Sequence, residues 1–269
     1  MDTGKIDQEA LRRRFNPEGS LLRRQQMRML DILIEVDRIC KKHDIRYWLS
    51  SGTLIGAVRH KGFIPWDDDL DIEMLQPDYE RLMKVLPQEL PPTMALQSQD
   101  TDPNYFFFYA KVRDRRSHLE ECNRYDRVWK EQGIYIDIFP FYKQPLWIHK
   151  LSEMMHGHVY KIMNRMGDSN GEMWKVRAFT RFNRYVAYPV LKAFCRLSNA
   201  RETYALGIPY SDPRHMEDIF PLTTTEFEGH QFPIPGNVDA ALTLKYGDYM
   251  KLPDLDKLNL HVGKLEMDE

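Results

Sequence analysis

The sequence predicts an α+β fold: a small mixed central sheet flanked by helices at its N-terminal and C-terminal ends. Three observations lead there: helical periodicity over residues 20–43, short strand-like runs between 45 and 139, and helical periodicity again after 147. In residues 20–43, Met29, Leu33, Val36 and Cys40, widened by Leu30 and Ile34, recur at helical spacing, and Asp44 lies beyond the last turn. Residues 45–49 (Ile-Arg-Tyr-Trp-Leu) are rich in β-favouring side chains and read as a strand leading into a Gly52-Thr53 turn, with a short helix over 53–59. Gly62 and Pro65 break the chain. Residues 70–74 then alternate, with Leu70, Ile72 and Met74 on one face and Asp69, Asp71 and Glu73 on the other.

After Pro77 a helix runs to about 85, its inward stripe formed by Tyr79, Leu82, Met83 and Leu86. Residues 106–112 and 134–139 read as strands, 147–165 and 172–197 as helical segments, the latter broken or kinked at Pro189. From Pro209 the chain is rich in turn residues, with a last helix over 242–249. No internal repeat or low-complexity tract interrupts this order.

The chain has 269 residues, 42% of them hydrophobic, enough for a sizeable core. Its three cysteines, Cys40, Cys122 and Cys195, are odd in number and form no CxxC pair, which argues against a disulfide scaffold and a zinc finger and points to a reducing compartment. Residues 1–14 are polar with no apolar signal region, and no uncharged apolar run is long enough to span a bilayer. The expected location is the cytoplasm.

The chemistry concentrates in residues 51–72. Asp69 and Asp71 share a strand face, and two carboxylates so placed repel unless a cation, a base or a proton compensates. Hard divalent cations take oxygen ligands and bind one or two carboxylates together with substrate phosphates. Asp137, between Ile136 and Ile138 in an apolar strand, is the third candidate ligand; the set would hold one or two Mg²⁺ ions, with Mn²⁺ as a substitute. The alternative is a solvated acidic loop with a structural acid at 137. Asp67 and Asp68 either take part directly or cap and solvate. Gly52 and Thr53 suit close approach of a phosphate to a helix N-terminus. Arg59, His60 and Lys61 either meet phosphate or form a solvated basic helix end. Lys111 and Arg113 alternate on a strand and either grip a diphosphate or face solvent. His149, His156 and His158 lack a paired acid or cysteine at metal-ligand spacing.

The net charge of −2 hides an asymmetry: residues 143–201 hold eleven Lys/Arg against three acids. Trp174, Phe179, Phe182, Tyr185, Tyr188 and Phe194 are interleaved with Arg177, Arg181, Arg184, Lys192 and Arg196. Packing of these aromatics in the core is the first reading, and peripheral contact with an anionic membrane surface at its inner face the second. Nucleic acid is not expected as a partner.

Residues 52–72, Gly-Thr-Leu-Ile-Gly-Ala-Val-Arg-His-Lys-Gly-Phe-Ile-Pro-Trp-Asp-Asp-Asp-Leu-Asp-Ile, closely resemble the signature of the LicD family, bacterial phosphocholine transferases related to fukutin-type enzymes. Residues 134–140 (Ile-Tyr-Ile-Asp-Ile-Phe-Pro), Phe227-Glu228-Gly229 with residues 232–235, and residues 246–253 match as well. The resemblance implies a nucleotidyltransferase-like core in a single unit: a helical lead-in over 1–44, a catalytic core over 45–142 and an acceptor-side region over 143–269. It implies transfer of a phosphoalcohol, typically phosphocholine from CDP-choline, to a sugar hydroxyl of a glycan or lipid-linked glycan. CMP would leave after in-line attack on the β-phosphorus. Asp69 and Asp71 would hold Mg²⁺, Asp137 would complete the shell or accept the acceptor's proton, and basic groups among Arg59, Lys61, Lys111 and Arg113 would offset charge. The rival readings are a nucleotidyltransferase moving a nucleoside monophosphate and a non-catalytic glycan- or nucleotide-binding module.

Overall fold

The computed structural model describes residues 7–196, 200, 202–210, 212, 214–258 and 262–268. The first six residues of the expected lead-in, Leu197 at the end of the expected second helical segment, and Arg201 lie outside these described residues.

The N-terminal half runs α1 (Gln8–Phe15), α2 (Leu21–Lys42), β1 (Trp48–Leu49), α3 (Ser51–His60), β2 (Asp71–Leu75), α4 (Gln76–Glu89), β3 (Met94–Gln97), β4 (Ala110–Asp114), β5 (Ser117–Glu121) and β6 (Tyr135–Lys143). The remainder comprises α5 (Leu146–Met166), α6 (Met173–Phe182), α7 (Tyr188–Cys195), β7 (Glu202–Tyr204), α8 (Met216–Ile219), β8 (Thr223–Phe227), β9 (His230–Ile234), α9 (Val238–Tyr246) and β10 (Val262–Met267). The α+β class and the mixed central sheet are as expected.

Helix α2 starts where Ser20 accepts the Arg23 N–H at 3.2 Å, and the expected stripe of Met29, Leu33, Val36 and Cys40 is buried. Helix α1 has no such stripe, since Leu11 is its only buried residue, so periodicity could not reveal it. Strand β4 begins later than expected because Tyr105, Phe106, Phe107 and Tyr109 pack into an aromatic cluster rather than a ladder. The second helical segment breaks just ahead of Pro189, in a π-helical turn over Asn183–Ala187. Pro189 itself sits in the first turn of α7, directly after the π-helical turn where the helical ladder changes register. The last helix is shifted toward the N-terminus: Asn237 accepts the Ala240 N–H at 3.2 Å and starts it, and Gly247 at φ +64° ends it before Asp248. The β8–β9 hairpin was not anticipated from sequence. Its turn uses Glu228 and Gly229, both at positive φ.

The sheet order is β1-β2-β6-β4-β3, with β7 also pairing β6. The β2–β6 pair is parallel, and the other pairs of this sheet are antiparallel. One face carries Ile72, Met74, Ile136, Ile138, Ala110 and Val112, buried in one cluster with Leu33, Val36, Leu82 and Leu86 of α2 and α4. The other carries Phe139 and Phe141, packed with Trp48, Tyr204 and Val159 of α5. Because side chains alternate, Asp71, Lys111, Arg113 and Asp137 fall on this second face.

Candidate active site

The parallel pairing sets Asp71 opposite Asp137, and the antiparallel β4 sets Lys111 opposite the same Asp137. Three neighbouring strands thereby present an Asp-Asp-Lys row. Lys111 Nζ lies 2.8 Å from Asp137 Oδ1 and 3.8 Å from Glu121 Oε1, and 3.3 Å above the centroid of the Tyr135 ring.

The acidic loop preceding β2 is held from behind by two buried glutamines of α2. Gln25 Nε2 donates to the Asp68 carbonyl at 2.8 Å, and Gln26 Nε2 to the Asp67 carbonyl at 2.9 Å. The loop is held from in front as well. Asp68 Oδ2 accepts the Val262 N–H of β10 at 2.9 Å, which gives Asp68 a structural role, while Asp67 hydrogen-bonds through its side chain to Asp69. Gly52 lies against this carboxylate: a Cβ there would sit 2.6 Å from Asp67 Oδ2, so a side chain at 52 would displace it. The Thr53 hydroxyl accepts the Asp71 N–H at 2.9 Å and anchors the start of β2.

Crowding shows in the acidities. Burial, then Asp69, Asp71 and Asp68, push Asp67 well above the usual carboxylate range. Burial, then Asp69 and Asp137, do the same to Asp71. Asp137 is pushed up to about 6, burial outweighing the pull of Lys111. Such a set favours either a proton or a bound cation. The donors Asp69 and Asp71 are all-oxygen, which fits Mg²⁺ held by one or two carboxylates plus substrate phosphates. Among the described residues no three His, Cys, Asp or Glu side chains already close into a cage of protein ligands alone.

Further lining comes from elements whose place in the sequence gives no link to the site. Lys245 of α9 donates to Ser51 Oγ at 3.0 Å and to the Tyr204 hydroxyl at 3.4 Å, and its ammonium lies 5.9 Å from the Tyr210 ring. These residues and the carboxylates line a cleft of about 400 Å³, to which Phe107, Tyr109 and Phe139 also contribute. The Phe107 and Tyr109 rings stack at 4.9 Å, and Tyr109 and Phe139 lie 4.5 Å apart. A cavity of about 480 Å³ adjoins behind Phe107 and Tyr109, but it lacks the carboxylate row.

The structure therefore brings Asp69, Asp71, Asp137, Gly52 and Lys111 to one cleft, adding Asp67, Ser51, Tyr204, Tyr210 and Lys245. It does not bring Thr53, whose hydroxyl is engaged by the Asp71 N–H, or Arg59, His60, Lys61 or Arg113 there. Arg59, His60 and Lys61 end α3, about 15 Å along the helix from its start. Arg59 donates to the carbonyls of Tyr249 and Lys251 at 2.8 and 3.3 Å. His60 is buried between Arg59 Nε and Gln8 Oε1, and burial, with Arg59 and Arg12 nearby, pushes it down to about 4. Lys61 is the left-handed C-cap at φ +58°. Arg113, fully buried, bonds Gln97, the Gly133 carbonyl and Glu121. A signal for Lys245 was present, since it directly precedes the Tyr246-Gly247-Asp248-Tyr249 segment.

The LicD/FKTN/FKRP nucleotidyltransferase-domain model matches residues 44–166, the span holding every carboxylate of the row. A lipopolysaccharide cholinephosphotransferase, LicD, from Haemophilus influenzae is 30% identical over 251 residues, covering 86% of this chain and 92% of that protein. The ribitol 5-phosphate transferases FKRP of human and mouse are each 57% identical over 28 residues, 10% of this chain and 6% of theirs. An uncharacterised protein of Rickettsia prowazekii is 42% identical over 65 residues, 24% of each chain.

Proposed function

This chain belongs to the LicD/FKTN/FKRP family, whose named relatives are phosphoalcohol transferases, and from that premise we propose that it transfers phosphocholine from CDP-choline to a sugar hydroxyl of a cell-surface glycan, releasing CMP. The observation that carries this reading is the cleft itself, which the carboxylates line together with the Phe107, Tyr109 and Phe139 rings and Lys245. A quaternary ammonium is drawn to aromatic faces, so the stacked Phe107–Tyr109 pair with Phe139 supports choline as the alcohol.

Asp69 and Asp71 would hold Mg²⁺, which when bound supplies positive charge to the diphosphate. Lys245, tethered to Ser51, offsets charge on the transferring phosphoryl group from the opposite side. Lys111 fixes the carboxyl of Asp137 through Oδ1, orienting it to receive the proton of the attacking hydroxyl. Most of the rate then comes from positioning and electrostatics, since phosphoryl transfer needs little covalent help from the protein.

The test is a donor screen with Mg²⁺ over CDP-choline, CDP-ribitol and CTP, labelled separately in nucleotide and alcohol. The expected result is CMP release from CDP-choline with the labelled alcohol on the glycan, abolished in folded Asp69→Asn/Asp71→Asn. Label from the nucleotide on the acceptor, or activity surviving in the double variant, would overturn the reading.

A further inference from the structure

Core packing was the first expectation for the aromatics of residues 174–194, and the structure reverses it: Tyr188 is buried, whereas Trp174, Phe179, Phe182, Tyr185 and Phe194 are exposed. Their buried counterparts are Met173, Val176, Thr180 and Asn183, which face the body of the protein. The exposed set has an order of its own. Trp174, Phe182, Val186, Val190 and Phe194, each between 51% and 64% exposed, fall with the exposed Ala178 on a strict four-residue spacing.

Such spacing drifts around a regular α-helix by about 40° per step, or about 200° over the length of the stripe. The π-helical turn over Asn183–Ala187 lies midway along it. Its wider turn unwinds the path and reduces the total drift to about 110°, which keeps the apolar positions on one side. Charge follows the same segment: residues 173–196 contain Lys175, Arg177, Arg181, Arg184, Lys192 and Arg196 and no acidic residue. Among the described residues no helix is long and apolar enough to cross a bilayer.

We propose that α6, the π-helical turn and α7 together form a docking face that lies on an anionic phospholipid surface. An apolar stripe edged by Trp, Tyr and basic side chains is the form of helix that rests in the headgroup region, its rings in the acyl boundary and its Lys and Arg among the phosphates. Isologous pairing of two copies through this face would instead oppose the exposed Arg177, Arg181 and Arg196 to the same residues of the other copy. The face stands independently of the transfer chemistry proposed above, and would keep the protein at a surface where lipid-linked glycans are found.

The test is flotation of the full chain with vesicles of phosphatidylcholine containing phosphatidylglycerol, compared with phosphatidylcholine alone, at low and high salt. Binding to the anionic vesicles that weakens with salt is expected. Arg177→Gln/Arg181→Gln should weaken it about thirtyfold, and Trp174→Ser/Phe182→Ser more than tenfold. All four side chains are exposed, so circular dichroism and CMP release from the soluble donor should match the unaltered chain. No binding to anionic vesicles at low salt would overturn the proposal, as would undiminished binding in both variants. Binding to a single-stranded oligonucleotide in place of vesicles, or a dimer in solution that the aromatic variant abolishes, would assign the face to another partner and overturn it equally.

Discussion

Arg113→Met separates the two roles that Arg113 could play. Its strand spacing alone suggested a diphosphate ligand, whereas its side chain is fully buried and donates to Gln97 Oε1 at 2.6 Å, the Gly133 carbonyl at 2.8 Å and Glu121 Oε1 at 3.3 Å. Its guanidinium also lies 4.6 Å from the centroid of the Tyr135 ring. Methionine keeps much of the stem volume but leaves Glu121 short of a counter-charge. Breaking a buried pair from one side costs about 3–5 kcal/mol. Lys111 remains 3.8 Å from Glu121, which places the expected loss at the lower end, about 3 kcal/mol. Adding Glu121→Gln should recover about 1–2 kcal/mol of it, because the two changes share one interaction.

The pH dependence has a definite sign. Burial pushes Glu121 up, but Lys111 and Arg113 outweigh it and hold the carboxyl below its ordinary 4.5. A depressed acid adds stability above its unfolded value and loses it as pH falls through the folded value. The gap between wild type and Arg113→Met should therefore be widest at neutral pH and close on acidification below 4.5. Urea denaturation followed by tryptophan fluorescence at several pH values measures this, alongside donor kinetics of the folded variant. An unchanged urea midpoint combined with a raised KM for the donor would refute the structural role and return Arg113 to the substrate.

Lys245→Met should behave in the opposite way, losing about 100-fold in kcat/KM, the scale of one lost charge-stabilising donor, while unfolding within about 1 kcal/mol of wild type. Steady-state kinetics with the CDP-alcohol and a urea titration decide it. His60 is held down to about 4 by burial and the nearby Arg59 and Arg12, so below its unfolded value of 6.5 the unfolded chain takes up a proton that the folded chain refuses. Stability should fall by up to about 3 kcal/mol between pH 6.5 and 4, and His60→Gln should flatten that slope in thermal melts across the range.

What the sequence revealed follows from how each signal is encoded. The Asp69 and Asp71 pair was legible from its spacing of two, although β2 begins at Asp71 and Asp69 lies in the loop before it, and the apolar neighbours of Asp137 made it stand out. Residue spacing says nothing of which strands are neighbours, so the opposition of Asp137 to both Asp71 and Lys111 needed the sheet order. The same limit explains Lys245 and Tyr204, which reach the cleft from about 200 residues into the chain. Arg59 and His60 misled because helix-end charges look alike in sequence whether they meet a ligand or the carbonyls of a distant segment. Exposure of the aromatics in residues 174–194 was hidden for a related reason: four-residue spacing fits a buried face as well as an outward one, and only packing distinguishes them.

The carboxylate row is held in register by the other face of the sheet. A one-residue slip of β2 would carry Asp71 into the apolar layer and turn the fully buried Ile72 and Met74 toward the cleft, and a slip of β6 would do the same with Asp137, Ile136 and Ile138. Each such side chain is worth about 1.5–3 kcal/mol when buried, so a slip of either strand forfeits about 3–6 kcal/mol. Against this stands the crowding of the acids: burial and their neighbours raise Asp137 from 3.8 to about 6 and push Asp67 and Asp71 well above the usual carboxylate range. Apolar burial therefore holds ionisable groups together that would otherwise separate, and the residual cost is of the kind that a cation between Asp69 and Asp71 would remove. The same register that the hydrophobic layer enforces is the one that aims Lys111 at Asp137, so the folding energy of one face positions the chemistry of the other.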